Sequence, residues 1–234
     1  MKILGIDSSA RAGSAAVYED DCLLCESYVD VKLTHSETLL SMLQAMLSAA
    51  ALTVVDMDYL AVSVGPGSFT GLRIGISAVK GIAFAQDIPC IGVSTLEALA
   101  YNLTGQSCIA CCVMDARCKQ VYTAIFDVEG ENVVRLCPDD ALAIDVLFEK
   151  IAGLKSKKPI VLVGDGAVLC YNSFNEKSNI FLAPSHLRCQ RAASVCRVAA
   201  GNIGGAVTAD ELSPAYLRLP QAERELIKKE ENRT

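Results

Sequence analysis

The sequence predicts an α/β protein built from two similar lobes, and three features carry that prediction. The chain opens as a β-meander; a buried strand then runs straight into a glycine-rich turn and a helix; and the same order of features recurs in the second half. In the first half the order is strand Ile3–Ile6, Asp7, polar turn, returning strand, helix, strand Tyr59–Val64, then Gly65-Pro66-Gly67. In the second it is strand Ile109–Met114, Asp115, a polar turn at Ala116–Gln120, strand Val121–Phe126, a helix, strand Ile160–Val163, then Gly164-Asp165-Gly166. Asp7 to Gly65 spans 58 positions and Asp115 to Gly164 spans 49, so order rather than spacing signals a degenerate internal duplication.

The elements follow from local chemistry. Ser14–Tyr18 and Leu23–Val29 complete the meander, with Glu19-Asp20-Asp21 turning the chain between them. Thr34-His35-Ser36-Glu37 is a capping box, in which hydroxyl and carboxylate satisfy each other's backbone donors. The helix after it sets Leu39, Leu40, Leu43, Met46, Leu47 and Ala50 on one stripe. A helix over Thr70–Ala85 places Gly71, Gly75, Ala78, Ile82 and Ala85 on one face. Its glycines, Gly71, Gly75 and Gly81, cost about 1 kcal/mol each relative to alanine, which predicts a compensating close approach of another backbone. Ile88–Val93 reads as a buried strand, and Ser94 or Thr95 caps a helix over Leu96–Leu103. Further helices are expected around Ala141–Ala152 and Ala192–Asn202, a loop at Gly204–Thr208, and an extended segment at Ser213–Arg218. The last fifteen residues are mostly charged and are expected to be frayed or ordered by a partner. The resulting division is an N-terminal lobe over 1–104, completed by a helix from about 190–203, a smaller lobe over 105–189, and an extended, partly mobile tail over 204–234.

Composition narrows the function. A chain of 234 residues with 52% hydrophobic and 21% charged residues is a well-buried globular protein. The start, Met1-Lys2-Ile3-Leu4-Gly5-Ile6-Asp7, reads as a strand rather than a signal peptide, and no run is long enough to span a bilayer. A cytoplasmic, reducing location is expected, which makes disulfides among the eleven cysteines improbable. A net charge of −6 argues against holding RNA alone, since phosphate neutralisation supplies most such affinity. Cys108, Cys111, Cys112 and Cys118 are the one cysteine cluster, but strand alternation puts Cys111 and Cys112 on opposite faces, so small buried hydrophobes are the reading and no metal is expected. With only His35 and His186, a histidine-rich metal site is excluded and a Ser-His-Asp triad has little to draw on.

Two sites stay open on the residues alone. The turn Gly65-Pro66-Gly67-Ser68-Phe69-Thr70-Gly71 can cradle an anion at a helix start, with Arg73 adding a cation, or its glycines can serve turning and packing. It is neither a Walker A loop nor G-x-G-x-x-G. Asp7, followed by Ser8 and Ser9, stands where a magnesium-associated carboxylate belongs in a duplicated nucleotide-binding fold, or is a turn aspartate. Asp7, Ser8, Gly67, Ser68, Arg73, Asp115, Gly164 and Gly166 are the candidate anion or nucleotide contacts. An ATP-dependent phosphotransferase is the competing enzyme reading, and a glycoprotease-type hydrolase a weaker one.

His35-Ser36-Glu37-Thr38-Leu39-Leu40, the run Gly65 to Gly75, Met114-Asp115-Ala116-Arg117 and Tyr216-Leu217-Arg218 resemble the TsaB (YeaZ) family over nearly the whole chain. The resemblance implies an actin-like, Hsp70 and sugar-kinase (ASKHA) fold, with duplicated RNase H-like lobes of mixed sheets flanked by helices. It also implies a non-catalytic subunit in the synthesis of tRNA threonylcarbamoyladenosine. Such a subunit docks the catalytic relative TsaD through N-lobe helices, is joined by the TsaE ATPase, and forms a homodimer when alone. ATP and metal are then expected on the partner proteins, and tRNA is reached only through the complex. Carried onto this chain, the interface is His35, Leu39, Leu43, Met46, Gly71, Leu72, Gly75, Ala78 and Ile82. Where the catalytic relative carries a metal-binding His-x-x-x-His, this chain has Thr95 and Leu99.

Overall fold

The computed structural model describes residues 1–174 and 176–218. The charged end expected to be frayed or partner-ordered lies outside the described residues from position 219 on.

The first lobe is a five-stranded sheet of β1 (Lys2–Asp7), β2 (Gly13–Glu19), β3 (Cys22–Val29), β4 (Tyr59–Gly65) and β5 (Cys90–Ser94), ordered β3-β2-β1-β4-β5. Its helices are α1 (His35–Ala49), α2 (Phe69–Gln86) and α3 (Thr95–Tyr101). The second sheet comprises β6 (Gln106–Asp115), β7 (Gln120–Gly130), β8 (Asn132–Arg135), β10 (Ile160–Val163) and β11 (Ile180–Leu182), with β9 (Asp140–Ala143) paired to the start of β7. Its helices are α4 (Ile144–Ala152), α5 (Ala167–Ser173) and α6 (Ala192–Ala200).

Read from β8, the second sheet runs β8-β7-β6-β10-β11, the same order as the first. The directions repeat too: three antiparallel strands, then two more added in parallel. The duplication inferred from the order of features is therefore a duplication of topology. Asp7 and Asp115 end equivalent strands, while Gly65 ends β4 and Gly164 directly follows its equivalent, β10. Both glycines have positive φ, +136° and +116°, and each lies against a carbonyl, of Ala215 and Val113 respectively, that a side chain would overlap.

Apolar side chains on both faces of each sheet make a layered molecule. α1 and α2 cover the outer face of the first sheet through Leu39, Leu43, Met46, Ile76 and Val79. α4 and α5 cover the outer face of the second through Leu147, Ile151, Ala167 and Cys170. Between the sheets the helices cross over. α3 follows the first sheet in sequence but buries Leu96 and Leu99, with Leu103 just beyond it, against β6 and β7 of the second. α6 follows the second sheet but buries Val195, Cys196 and Ala199 against β1 and β2 of the first. Asn102 ties the crossing: its Nδ2 donates to the carbonyls of Leu187 and Cys189, both at 2.8 Å, and its Oδ1 accepts from Ser194 at 2.6 Å. Arg135 on β8 adds a second tie, reaching Glu97 at 3.2 Å, Ser94 at 3.3 Å, and Asp139.

Local expectations fare unevenly. The Thr34 capping box is present, with Glu37 accepting from the Thr34 N–H at 2.9 Å, and Ser94 rather than Thr95 caps α3. The helix expected from Ala141 begins at Ile144, because Asp140–Ala143 pairs with β7 as a strand. The expected helix over Ala192–Asn202 ends at Ala200. Cys111 faces one core while Cys108 and Cys112 face the other, and Cys118 is exposed on the turn, so the four do not converge. Burial pushes the Cys111 and Cys112 thiols up, as inert core residues. Among the described residues no helix is long and apolar enough to cross a membrane.

The glycine face of α2 does meet another backbone, and it is the chain's own. A methyl on Gly71 would overlap the Ser8 carbonyl oxygen, and one on Gly75 the Ser8 hydroxyl. This corrects the expectation that Gly71 and Gly75 serve a partner surface. Gly71→Ala should lower unfolding stability by about 1–3 kcal/mol, the range for overpacking, and Gly75→Leu by more, both read in urea denaturation. Substituting Gly81, which has open space around it, should leave the midpoint within the ordinary surface range or raise it.

Candidate functional site

Two concavities meet at the start of α2. The first is a cleft of about 530 Å³ between the lobes, lined by residues 9–11 and 66–70 on one side, 114–117, Tyr122 and Asp165 on the other, and 215–218 at the rim. The second is an apolar groove of about 630 Å³ on the outer surface between α1 and α2.

The β1–β2 turn shapes the cleft. Asp7 is fully buried, and its carboxylate accepts from the Ser9 N–H at 2.9 Å, the Ser9 hydroxyl at 2.7 Å, and the Ser63 hydroxyl. Burial pushes the Asp7 pKa up, and these donors pull it back. Its oxygens accept from the turn and from β4, and it does not line the cleft. Ser8 is equally shut in, its hydroxyl donating to the Gly71 carbonyl at 2.9 Å. The Ser68 N–H donates to the Ser9 carbonyl at 2.6 Å, so the glycine turn is laced to the β1–β2 turn. Ser68 also caps α2, its Oγ accepting from the Gly71 N–H at 3.2 Å.

Of the candidate anion contacts, Gly67, Ser68 and Asp115 line the cleft, whereas Asp7, Ser8, Gly164 and Gly166 are packed into the structure behind it. Arg73 points along α2 to the outer groove instead, over the Phe69 ring. Asp165, between the two glycines, is the acid that sequence reasoning passed over. It sits at the cleft wall beside Gln190, whose Nε2 is 3.4 Å from its Oδ1. Its pKa is raised to about 6, first by desolvation among the surrounding protein atoms and then by the charge of Asp115. Water still reaches the side chain through the cleft mouth, which tempers the burial effect.

The expected partner-interface residues divide sharply. Leu39, Leu43 and Met46 are between 1% and 6% exposed within the first-lobe core, and Leu72, 1% exposed, packs beside Gly65, so they face the protein's interior and not a partner. His35, at the groove, donates from Nε2 to the Ala10 carbonyl at 2.6 Å and so pins α1 to the β1–β2 turn. Ala78 lines the groove and Ile82 is half-buried beside the core. What the two helices present outward is Leu40, 57% exposed, with Ile74, Ser77 and Ala78 across the groove. Phe84, 79% exposed, continues that surface along α2. Thr95 and Leu99 are wholly buried; Leu99 fills space beside Gly164 within the second-lobe core. Among the described residues no group of three or more histidine, cysteine or acidic side chains is placed to hold a metal ion.

Two lobes of one topology, each ending its first strand in aspartate and leaving an equivalent parallel strand, β4 or β10, through a glycine of positive φ, facing each other across a cleft, define an actin-like (ASKHA) protein. The family model for "TsaD: tRNA N6-adenosine threonylcarbamoyltransferase" matches residues 30–160, more than half of the chain. The tRNA threonylcarbamoyladenosine biosynthesis protein TsaB of Bacillus subtilis is 29% identical over 232 residues, covering 97% of this chain and 98% of that protein. The TsaB protein of Buchnera aphidicola subsp. Schizaphis graminum is 39% identical over 177 residues, 70% of this chain and 78% of its own. The structure of YeaZ from Pseudomonas aeruginosa superposes with a TM-score of 0.77 at 26% identity, over 92% of this chain and 99% of that one. The chain belongs to the TsaD family that this model describes, in its TsaB (YeaZ) branch.

Because the folded-state pKa of Asp165 lies above the usual 3.8, its ionisation opposes folding. The stability it contributes is complete below pH 3.8 and is lost as pH rises through about 6. Asp165→Asn, which keeps an acceptor for Gln190, should raise the melting temperature at pH 8 and leave it unchanged at pH 4. The gain should be at most about 1 kcal/mol, since water screens the side chain.

Proposed function

We propose that this chain is a non-catalytic subunit in the synthesis of tRNA threonylcarbamoyladenosine, and that it docks a TsaD-type transferase through the outer faces of α1 and α2. The relatives named for that biosynthesis support its involvement in the process. The observation that carries the docking is the apolar groove between α1 and α2, where Leu40 stands 57% exposed next to Ile74 and Ala78. Exposed apolar surface of this kind on a helix pair is what a partner helix covers.

Three features support a partner role over a catalytic one. Leu99 and Thr95, standing in place of metal ligands, are core residues. The Asp7 carboxylate, which a phosphotransferase of this fold needs free for a metal, is enclosed by Ser9 and Ser63. The net charge of −6 suits contact with tRNA only through an assembly. ATP and metal then belong to the partners, with the TsaE ATPase joining the complex. The same helix surface serves a homodimer in the partner's absence.

Mixing the chain with a cognate TsaD should give one co-eluting species in size-exclusion chromatography at micromolar concentration; two independent peaks would remove the docking claim. Leu40→Asp changes only an exposed position, and should weaken that pairing by roughly tenfold or more while leaving the monomer's melting temperature in place. In reconstituted tRNA modification, omission of the chain should abolish or sharply slow product formation, and an unchanged rate would sink the functional reading.

A further inference from the structure

Beyond Leu212, which is 3% exposed in the first-lobe core, the chain continues without helix or strand to Arg218 along the rim of the interlobe cleft. The Ala215 N–H donates to the Val64 carbonyl at 2.8 Å, and the Ala215 carbonyl lies where a side chain on Gly65 would stand. One residue on, the Tyr216 ring stacks on Phe69, centroids 4.8 Å apart and planes 28° apart. Arg73 closes the stack: its guanidinium lies 3.8 Å from the Phe69 centroid, and its Nε donates to the Tyr216 hydroxyl at 3.0 Å. Arg218 reaches the other lobe, 5.7 Å from the Tyr122 ring centroid.

The segment thus wedges against the glycine turn and forms one rim of the cleft with few attachments. Among the described residues, one backbone hydrogen bond, one stacked ring pair, Arg73 and the Arg218 contact with Tyr122 hold it, and Tyr216 itself is 39% exposed. A stretch held this sparsely opens at far lower free energy than the sheets on either side of it. We propose that residues 215–218 are a strap, hinged after Leu212, that narrows the mouth of the cleft and uncovers Gly65 and the Phe69 ring when Tyr216 leaves that ring. One rim of the cleft is in this way the chain's own segment, and whatever stacks on the Phe69 ring competes with Tyr216. This inference is independent of the partner role proposed above.

Hydrogen exchange on the full-length chain, followed by mass spectrometry, tests it. In Tyr216→Ala, peptides covering 64–70 and 212–218 should exchange faster on the order of tenfold, while those in β1 and β6 keep their native rates. Tyr216→Phe keeps the stack and loses only the hydroxyl, and should stay near the native rates. Arg73→Ala, at an exposed position, provides a second variant with the same expected direction. Native exchange of 212–218 already at the unprotected rate would overturn the proposal, as would unchanged exchange in both Tyr216→Ala and Arg73→Ala. Loss of the fold in both variants would overturn it equally, since a removable strap cannot be required for folding.

Discussion

Ser8 and Ser9 lie against the glycines of α2 and its preceding turn at a separation no side chain permits, and the first lobe is organised around that contact. It sets the height of α2 over β1, and with it the position of Ile76 and Val79 in the core. The same contact encloses Asp7, whose three donors come from the turn and from neighbouring β4. It also faces the start of α2 toward the cleft, so that Phe69 becomes available to Tyr216. The helical cost of Gly71 and Gly75 is offset inside the molecule, by hydrogen bonds and packing between α2 and the β1–β2 turn.

An actin-like cleft usually suggests ligand chemistry, and here the groups facing it have been redistributed. On the first-lobe side the aspartate is occupied and the loop amide of Ser68 is bonded to Ser9. On the second-lobe side Asp115 and Asp165 still face the opening, with the pKa of Asp165 raised. The asymmetry between two lobes of identical strand order shows how far duplicated halves diverge in their chemistry while keeping their topology.

Much of the architecture was legible in the sequence because its signals are local. The Thr34 capping box, the strands that end at Asp7 and Asp115, and the glycine turns after β4 and β10 all depend on neighbours within a few residues. The short strands β8, β9 and β11 were not, since three or four residues carry no usable periodicity. The site was less legible still. A helix stripe such as Leu39, Leu43 and Met46 declares burial but not what it is buried against, and it was assigned to a partner when it belongs to the sheet. Leu40, on the same helix, is the residue that faces outward. The Gly-x-Gly echo marked the position of Asp165, yet only the folded chain sets it beside Asp115 and Gln190. Nothing near Tyr216 in sequence announces Phe69, 147 positions away by numbering (216 − 69).

The crossed helices carry a consequence for how the molecule comes to exist. The first sheet is complete once residue 94 has been made, but α6, which covers its inner face, begins at Ala192. During synthesis that face stays bare while almost the whole second lobe is still being added. A nascent chain in this condition shows Ile3, Ala16, Ala61 and Ile91 to its surroundings. The two lobes therefore complete each other despite their repeated topology: the first sheet's inner face is closed by a helix made only after the second lobe's strands.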